Sequence, residues 1–550
     1  MKSTTMAPIL QSDAEDYRYA TLPETGPGNH YIRLLDILPG SPKDKILRLG
    51  LRTLRLEDNP IYECLSYAWG TSDGDREEKE VLIVGPDAKS LKLRIRKNLN
   101  EALRVLRHPS RPRAIWADAV CINQEDQEER STQVTLMGLI YWSASRVNIW
   151  LGPDRRGVAK MAFEAVQPIS AAHWRTDANL SSFSKEQAAA LDPISWGGVT
   201  ELYRNSWFQR AWVQQELGLS KEAYFYWGDA PPIDVREVFG FDIWMESVGD
   251  AVRARFIGDA TGVRGTRNLW LQYSRVTRSD WPGDHDEFMA ANPFLQVLVD
   301  ASNCKASDPR DHVYAFLGHP AARRQNAYEN DQSMNYPDIF NDTSHTFITP
   351  NYTKTAEEVY IEVAKKLMVQ HDDLRMLGAV SHSAGSIASD YPSWVPRWNA
   401  NQHRKTIGIS VSLWPIKIEV PEIPVMRIEA NALHLKGLII STVSSILKWT
   451  KDCIQSAMVE VFARSNTIEM LHGRRLFQTK DGRRGMVQDI VQAGDVVALL
   501  VGACSPCVLR HVEGGKFKLV GTCIMLGLAD DDLNDMVNKS REHIQEIVLL

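Results

Sequence analysis

Residues 114–151 read AIWADAVCINQEDQEERSTQVTLMGLIYWSASRVNIWL, and the period of their apolar residues changes twice. Ala114 to Ile122 is nearly all apolar, as a strand covered on both faces would be. From Asn123 to Ser145 the spacing becomes helical, with Val134, Met137, Ile140, Tyr141 and Ala144 on one face. Glu125, Asp126, Glu128 and Glu129 lie where acids favour the positive end of a helix dipole. Arg146 to Leu151 is apolar again and stops at Gly152–Pro153. The stretch is a strand, a helix and a strand.

The same alternation extends upstream. Ile61 to Trp69 (IYECLSYAW) is a buried strand stopped by Gly70 and a polar loop, Thr71 to Lys79. Val81 to Val84 and Leu91, Leu93 and Ile95 form a hairpin around Gly85–Pro86. Leu99, Ala102, Leu103 and Leu106 share a helical face closed by His108–Pro109. Tyr31 to Leu35 and Ile46 to Leu56 are strands divided by Pro39–Gly40, within an N-terminal extension, 1–59. Downstream, a looser insertion near 167–200 precedes helical Trp207 to Leu217 and a strand at Ala223 to Trp227. The order implies an α/β domain over 60–228, a parallel sheet with helices on its faces.

Beyond Gly228 the pattern predicts a mainly helical region over 229–400. Asp308-Pro-Arg-Asp311 starts one helix, which Gly318 ends, and Thr355-Ala-Glu-Glu358 is a capping box; 323–355 is a loose polar stretch. Leu433 to Val443, Asp495 to Val501 and Phe517 to Met525 predict a small antiparallel β module within 401–550.

The 550 residues carry a net charge of −6, which points to no nucleic-acid partner. The basic run Arg94 to Arg113 lacks interleaved aromatic residues and reads as a solvated helix face. No window approaches the apolar length of a membrane span, the N-terminus has no signal-peptide core, and seven scattered cysteines fit a reducing compartment; the expected location is cytoplasmic. Cys504 and Cys507 read as structural thiols, and no metal site is expected. There is no phosphate-binding loop, GxGxxG, HExxH or GxSxG motif, so kinase, NTPase, zinc-protease and α/β-hydrolase readings have little support.

Asp118 is a carboxylate inside an apolar run, where isolation would be costly. The economical reading pairs it with an arginine such as Arg130; the functional one sets it at the crevice where α/β folds place ligands, near Cys121, Asn123 and Gln124. Glu216 follows Trp207, Phe208, Trp212 and Val213, an apolar face that could desolvate it and raise its pKa. On the residues alone, an exposed glutamate bonded to Arg210 or Lys221 is the simpler account. Trp69, ending a strand, is a core or rim filler or a stacking platform for a flat ligand.

Tyr62 to Gly70 (YECLSYAWG, with Tyr67), Leu99 to Leu106 and Trp116-Ala-Asp-Ala-Val-Cys-Ile-Asn-Gln124 resemble the fungal heterokaryon-incompatibility (HET) family. The likeness continues through Arg130, Gln133 and Gly152 to Trp207-Phe-x-Arg210-x-Trp212-Val-x-Gln-Glu216. Ala117, where the family more often has a β-branched residue, and Met525 to Leu528 depart from its pattern. The resemblance implies a TIR-like, flavodoxin-like fold and a role in non-self recognition and regulated cell death. Some TIR domains cleave NAD with a glutamate preceded by Trp and apolar residues, as in Trp212-Val-Gln-Gln-Glu216. NAD would then be a substrate, with no resident cofactor; Glu216 would stabilise a ribosyl cation, Trp69 and Trp212 would line the site, and Asp118 with Asn123 would order the crevice. The second reading is a non-catalytic module that self-associates or binds an incompatibility partner, with the same residues serving as core and interface.

Overall fold

The computed structural model describes residues 15–550 apart from 27, 42–43, 70–76, 88, 176–192, 248–262, 264, 269, 271–293, 320, 323–346, 372–373, 401–425, 449–472 and 529. The chain divides into two units. The first is Met1–His285, Cys304–Ala306 and Tyr314–Tyr352; the second is Asp286–Asn303, Ser307–Val313 and Thr353–Leu550.

The first unit is built on a nine-stranded sheet. Its centre is parallel: β6 (Arg113–Trp116), β3 (Glu63–Tyr67), β7 (Val147–Trp150) and β8 (Ala223–Tyr226) lie side by side in that order. Its margins are mixed. β1 (Tyr31–Ile37) runs antiparallel to both β6 and β2 (Arg48–Arg55). β4 (Glu78–Val84) and β5 (Ser90–Arg96) form the expected hairpin, β4 runs parallel to β2, and β9 (Ile233–Asp234) is antiparallel to β8. Thus β1 and β2 share one sheet with the strands of 60–228.

The first helix, α1 (Lys97–Leu106), buries Leu99, Ala102, Leu103 and Leu106, the face its spacing predicts. The apolar run at 114–122 is not one strand. β6 stops at Trp116, and α2 (Asp118–Cys121) is a single helical turn, so Asp118 stands just past a strand end. Helix α3 (Gln127–Ser143) begins at Asp126, whose carboxylate accepts from Glu128 N and Glu129 N, both at 3.0 Å. Helix α4 (Ala159–Arg175) runs past Gln167 with Pro168 inside it, where a loose insertion was expected; 176–192 lie outside the described residues. After α5 (Pro193–Tyr203), the predicted helix at Trp207 to Leu217 breaks into a 3-10 turn, Ser206–Gln209, and α6 (Trp212–Gly218).

The basic run is solvated only in part: Arg94, Arg96 and Arg111 are exposed. Arg107 is buried and donates to Leu38 O, Ser41 O and Pro39 O at 2.7, 3.1 and 3.0 Å. Arg104 donates to Asp44 O at 2.6 Å, and Arg113 pairs with Glu63. Arg104 and Arg107 thereby tie the carbonyls of Leu38, Pro39, Ser41 and Asp44 to the end of α1.

In the second unit, β10 (Ala432–Leu447), β11 (Val496–Leu500), β12 (Cys507–His511), β13 (Phe517–Thr522) and β14 (Gln545–Leu549) pair in a closed ring, because β11 also pairs with β10. Only the β13–β14 contact in this ring is parallel. Closure leaves those strands without a free edge. Val443, Phe477, Val487, Val497, Val508, Val520 and Cys523 share one apolar core. Thr355 and Glu358 make the expected reciprocal cap, at 2.7 and 3.2 Å, before the helix Ala356–His371. The helix started by Asp308 is a single turn, Asp311–Tyr314. None of the six described cysteines is in a disulfide, and Cys504 and Cys507 are buried.

Candidate functional site

From β3 the chain reaches β6 on one side, and from β6 it crosses to β7 on the other. Connections therefore diverge at the carboxyl ends of β3 and β7, the kind of switch point where α/β sheets leave a crevice for ligands. The residues gathered there are polar. Ser66, next to last in β3, donates its hydroxyl to Glu216 Oε2 and accepts from Trp207 Nε1 at 2.8 Å. Arg210 donates to the carbonyl of Tyr67. Trp69 Nε1 donates to Asp118 Oδ2 at 2.9 Å, and Ala119 N donates to Asp118 Oδ1 at 2.8 Å.

A second layer holds these groups. Asn98 Nδ2 donates to Ala68 O at 2.7 Å, Trp150 Nε1 to Asn98 Oδ1 at 2.8 Å, and Arg96 Nη1 to Trp69 O at 2.5 Å. Gln124 Nε2 donates to Asp118 O at 2.9 Å. Arg33 braces the same turn from β1, donating to Cys121 O at 3.1 Å while pairing with Glu129 at 2.5 Å.

Glu216 is 2% exposed. Burial pushes its carboxyl up to about 7, opposed by the positive charge of Arg210, reinforced by the negative charge of Asp118, and eased by the Ser66 hydroxyl. Asp118 is also raised by burial, against Arg210 and its hydrogen bonds from Ala119 and Trp69. Two carboxyls thus feel one guanidinium whose own hydrogen bond goes to a backbone carbonyl. Such a cluster can hold a proton near neutral pH or, ionised, face a developing positive charge.

The structure brings Trp69, Asp118, Arg210 and Glu216 together around the end of β3, and corrects several expectations. Glu216 is not an exposed helix residue. Arg130 does not pair with Asp118; its guanidinium lies over the Tyr352 ring, 3.9 Å from the centroid. Asn123 lies in the turn before α3, donating its backbone N to Glu129 Oε1 at 2.7 Å and accepting from Glu125 N at 3.3 Å. Its neighbour Gln124 braces Asp118 instead. Trp212 stands half-buried at the start of α6. Cys121 is buried and its thiol is pushed up to about 12 by burial; Gln133 pins α3 to β1 through Tyr31 O at 2.9 Å. Tyr67 is buried, and burial carries its phenol well above the usual range. Ser66, Arg96, Asn98 and Trp207 were missed as site residues. No local pattern singles out Ser66, Arg96 or Asn98, and Trp207 reads in the sequence only as part of an apolar face. Among the described residues no group of three His, Cys, Asp or Glu could hold a metal ion.

Residues 62–216 match the family model for heterokaryon incompatibility protein (HET), a match that ends on Glu216, and residues 443–544 match the Het-6 beta-barrel domain. These matches support the likeness to heterokaryon-incompatibility HET proteins. Heterokaryon incompatibility protein 6, OR allele, of Neurospora crassa is 26% identical over 489 residues, covering 82% of this chain and 68% of that protein. No solved structure matches. No helix among the described residues is long and apolar enough to cross a membrane.

Proposed function

We propose that this chain acts in heterokaryon incompatibility, and that its first unit is a TIR-like NAD glycohydrolase whose activity drives cell death. The observation that carries the chemistry is Glu216, a carboxyl buried at a strand tip and raised to about 7 by that burial. The parallel order β6-β3-β7-β8 is second-first-third-fourth along the chain, which supports a flavodoxin-like reading. In the proposed reaction the bond from ribose C1′ to the nicotinamide nitrogen breaks, and its electron pair stays with nicotinamide. Water adds to C1′ and a proton is released. Ionised Glu216 faces the positive ribosyl centre, Trp69 offers a flat face, and Asp118 holds the Trp69 indole. The action is placed in the cytoplasm.

Purified full-length protein, alone and in its assembled states, is incubated with NAD and nicotinamide release is followed. Glu216→Ala is expected to lower turnover by about 100-fold or more. Full turnover by that variant, or none by any assembled wild-type protein, ends this reading.

One observation favours a non-catalytic module: Trp207, Ser66 and Glu216 form a closed hydrogen-bonded chain in the core, as a purely structural cluster would. The unit would then work through self-association or an incompatibility partner. Cell death that survives Glu216→Ala and disappears when assembly is disrupted selects this alternative.

A further inference from the structure

The segment carrying Trp207, Arg210 and Glu216 is interrupted in its middle. The 3-10 turn ends at Gln209, Arg210 is extended at φ −80° and ψ 141°, and α6 begins two residues later. Residues far downstream grip this break, all within the first unit. Lys305 N donates to Gln209 O at 2.5 Å, and Ala211 N donates to Lys305 O at 2.9 Å, so Lys305 brackets Arg210 like a strand of one residue. Thr266 Oγ1 donates to Phe208 O at 2.9 Å and accepts from Gln214 Nε2 at 3.1 Å. Gly318 N donates to Gln215 Oε1 at 2.8 Å.

Gln214 and Gln215 are 1% and 2% exposed, so water does not replace a bond they lose. Gly318 also fits too closely for a side chain: a Cβ there would lie 2.4 Å from Gln215 Oε1 and 2.6 Å from its Cδ. Cys304–Ala306 stands in the first unit, while the chain on either side of it, Asp286–Asn303 and Ser307–Val313, is grouped with the second. All three gripping segments lie outside residues 62–216.

We propose that Lys305, Thr266 and Gly318 are positioning residues: the chain beyond residue 260 holds Arg210 and Glu216 in register with the tip of β3, and loosening that bracket switches the site off. This inference rests on the reading of Glu216 as the working carboxylate. Ser66, Arg210 and Asp118 face that carboxylate, and Tyr67, Tyr141 and Cys64 feel its charge. If the bracket slips, Arg210 draws away and Glu216 ionises at higher pH.

The test titrates Glu216 in the full chain by carbon-13 NMR of glutamate-labelled protein, with the signal assigned by Glu216→Gln. Lys305→Ala keeps both backbone bonds of an exposed side chain, and its midpoint is expected to match wild type. Lys305→Pro removes the donor to Gln209, Gly318→Ala displaces Gln215, and Thr266→Val removes the hydroxyl. Each is expected to raise the midpoint by about one pH unit. Nicotinamide release at pH 7 then falls about fivefold and recovers at alkaline pH, as expected when fewer molecules are ionised. Unshifted midpoints in folded Gly318→Ala and Thr266→Val overturn the proposal, also when Lys305→Pro fails to fold. If wild type releases no nicotinamide, the enzyme reading falls, and the titration still decides whether the bracket positions Glu216.

Discussion

The two ends of strand β3 both carry a carboxylate problem and solve it differently. At the start, Glu63 Oε2 accepts from Arg113 Nη2 at 2.5 Å, Arg113 Nε at 3.1 Å and Asn148 Nδ2 at 2.8 Å. Arg113 also reaches Asn148 Oδ1 at 3.0 Å, so the cluster is knitted on every side. At the finish, Glu216 accepts one hydroxyl from Ser66, and Arg210 spends its hydrogen bond on Tyr67 O. The first end is charge paired with charge, which fastens β3, β6 and β7 together. The second leaves a buried carboxyl hydrogen-bonded to a hydroxyl, an arrangement in which burial outweighs the charge of Arg210 and raises the pKa. Buried carboxyls with raised pKa cluster at functional sites, and this one is the basis of the proposed chemistry.

Breaking the paired end should have the largest effect on stability. Arg113→Ala leaves Glu63 with Asn148 alone, and denaturant unfolding should show a loss of about 3–4 kcal/mol. The Glu216 titration should not move. A small loss there would mean that the two ends are not built on different principles.

The unpaired end should reveal itself through pH. The native chain holds the Glu216 proton above the ordinary carboxyl value of 4.5, up to about 7, whereas the unfolded chain has lost it. Unfolding free energy should therefore fall as pH rises through this window, by about 3 kcal/mol from this group. Glu216→Gln, which can still accept from Ser66, should remove that slope. Equal slopes in wild type and variant, measured from pH 4.5 to 8, would erase the distinction between the ends.

The smallest effect sharpens the same comparison. Asp118→Asn keeps an acceptor for Trp69 and deletes a negative charge that raises Glu216. The Glu216 midpoint should drop by about half a unit. A rise instead would show that Arg210 follows Asp118 and not Glu216.

Much of the sheet was legible because its strands are short apolar runs between helices of clear period. Val147–Trp150 and the α1 face fall where the pattern placed them, and Glu78–Val84 contains the predicted Val81 to Val84 but starts inside the expected loop. The misreadings share one cause, which is that backbone breaks need no change in hydrophobicity. Trp116 to Cys121 stays apolar while the strand becomes a helical turn, and Trp207 to Leu217 stays amphipathic while Arg210 goes extended. The basic run was partly misread for a related reason: whether an arginine meets water or a loop carbonyl depends on where the loop goes. Ser66 and Asn98 were invisible as site residues because hydroxyls and amides occur throughout any chain.

By itself the sequence determined the alternation of elements, the position of the acids that start α3, and the Thr355–Glu358 cap, since each depends on residues within a few positions of one another. The antiparallel pairings of β1 and β9, the burial of Glu216 and its meeting with Ser66 across 150 residues were decided by tertiary structure alone. A carboxyl's charge state depends on the dielectric and the charges that surround it in space. No local pattern encodes those surroundings until the chain has folded around them.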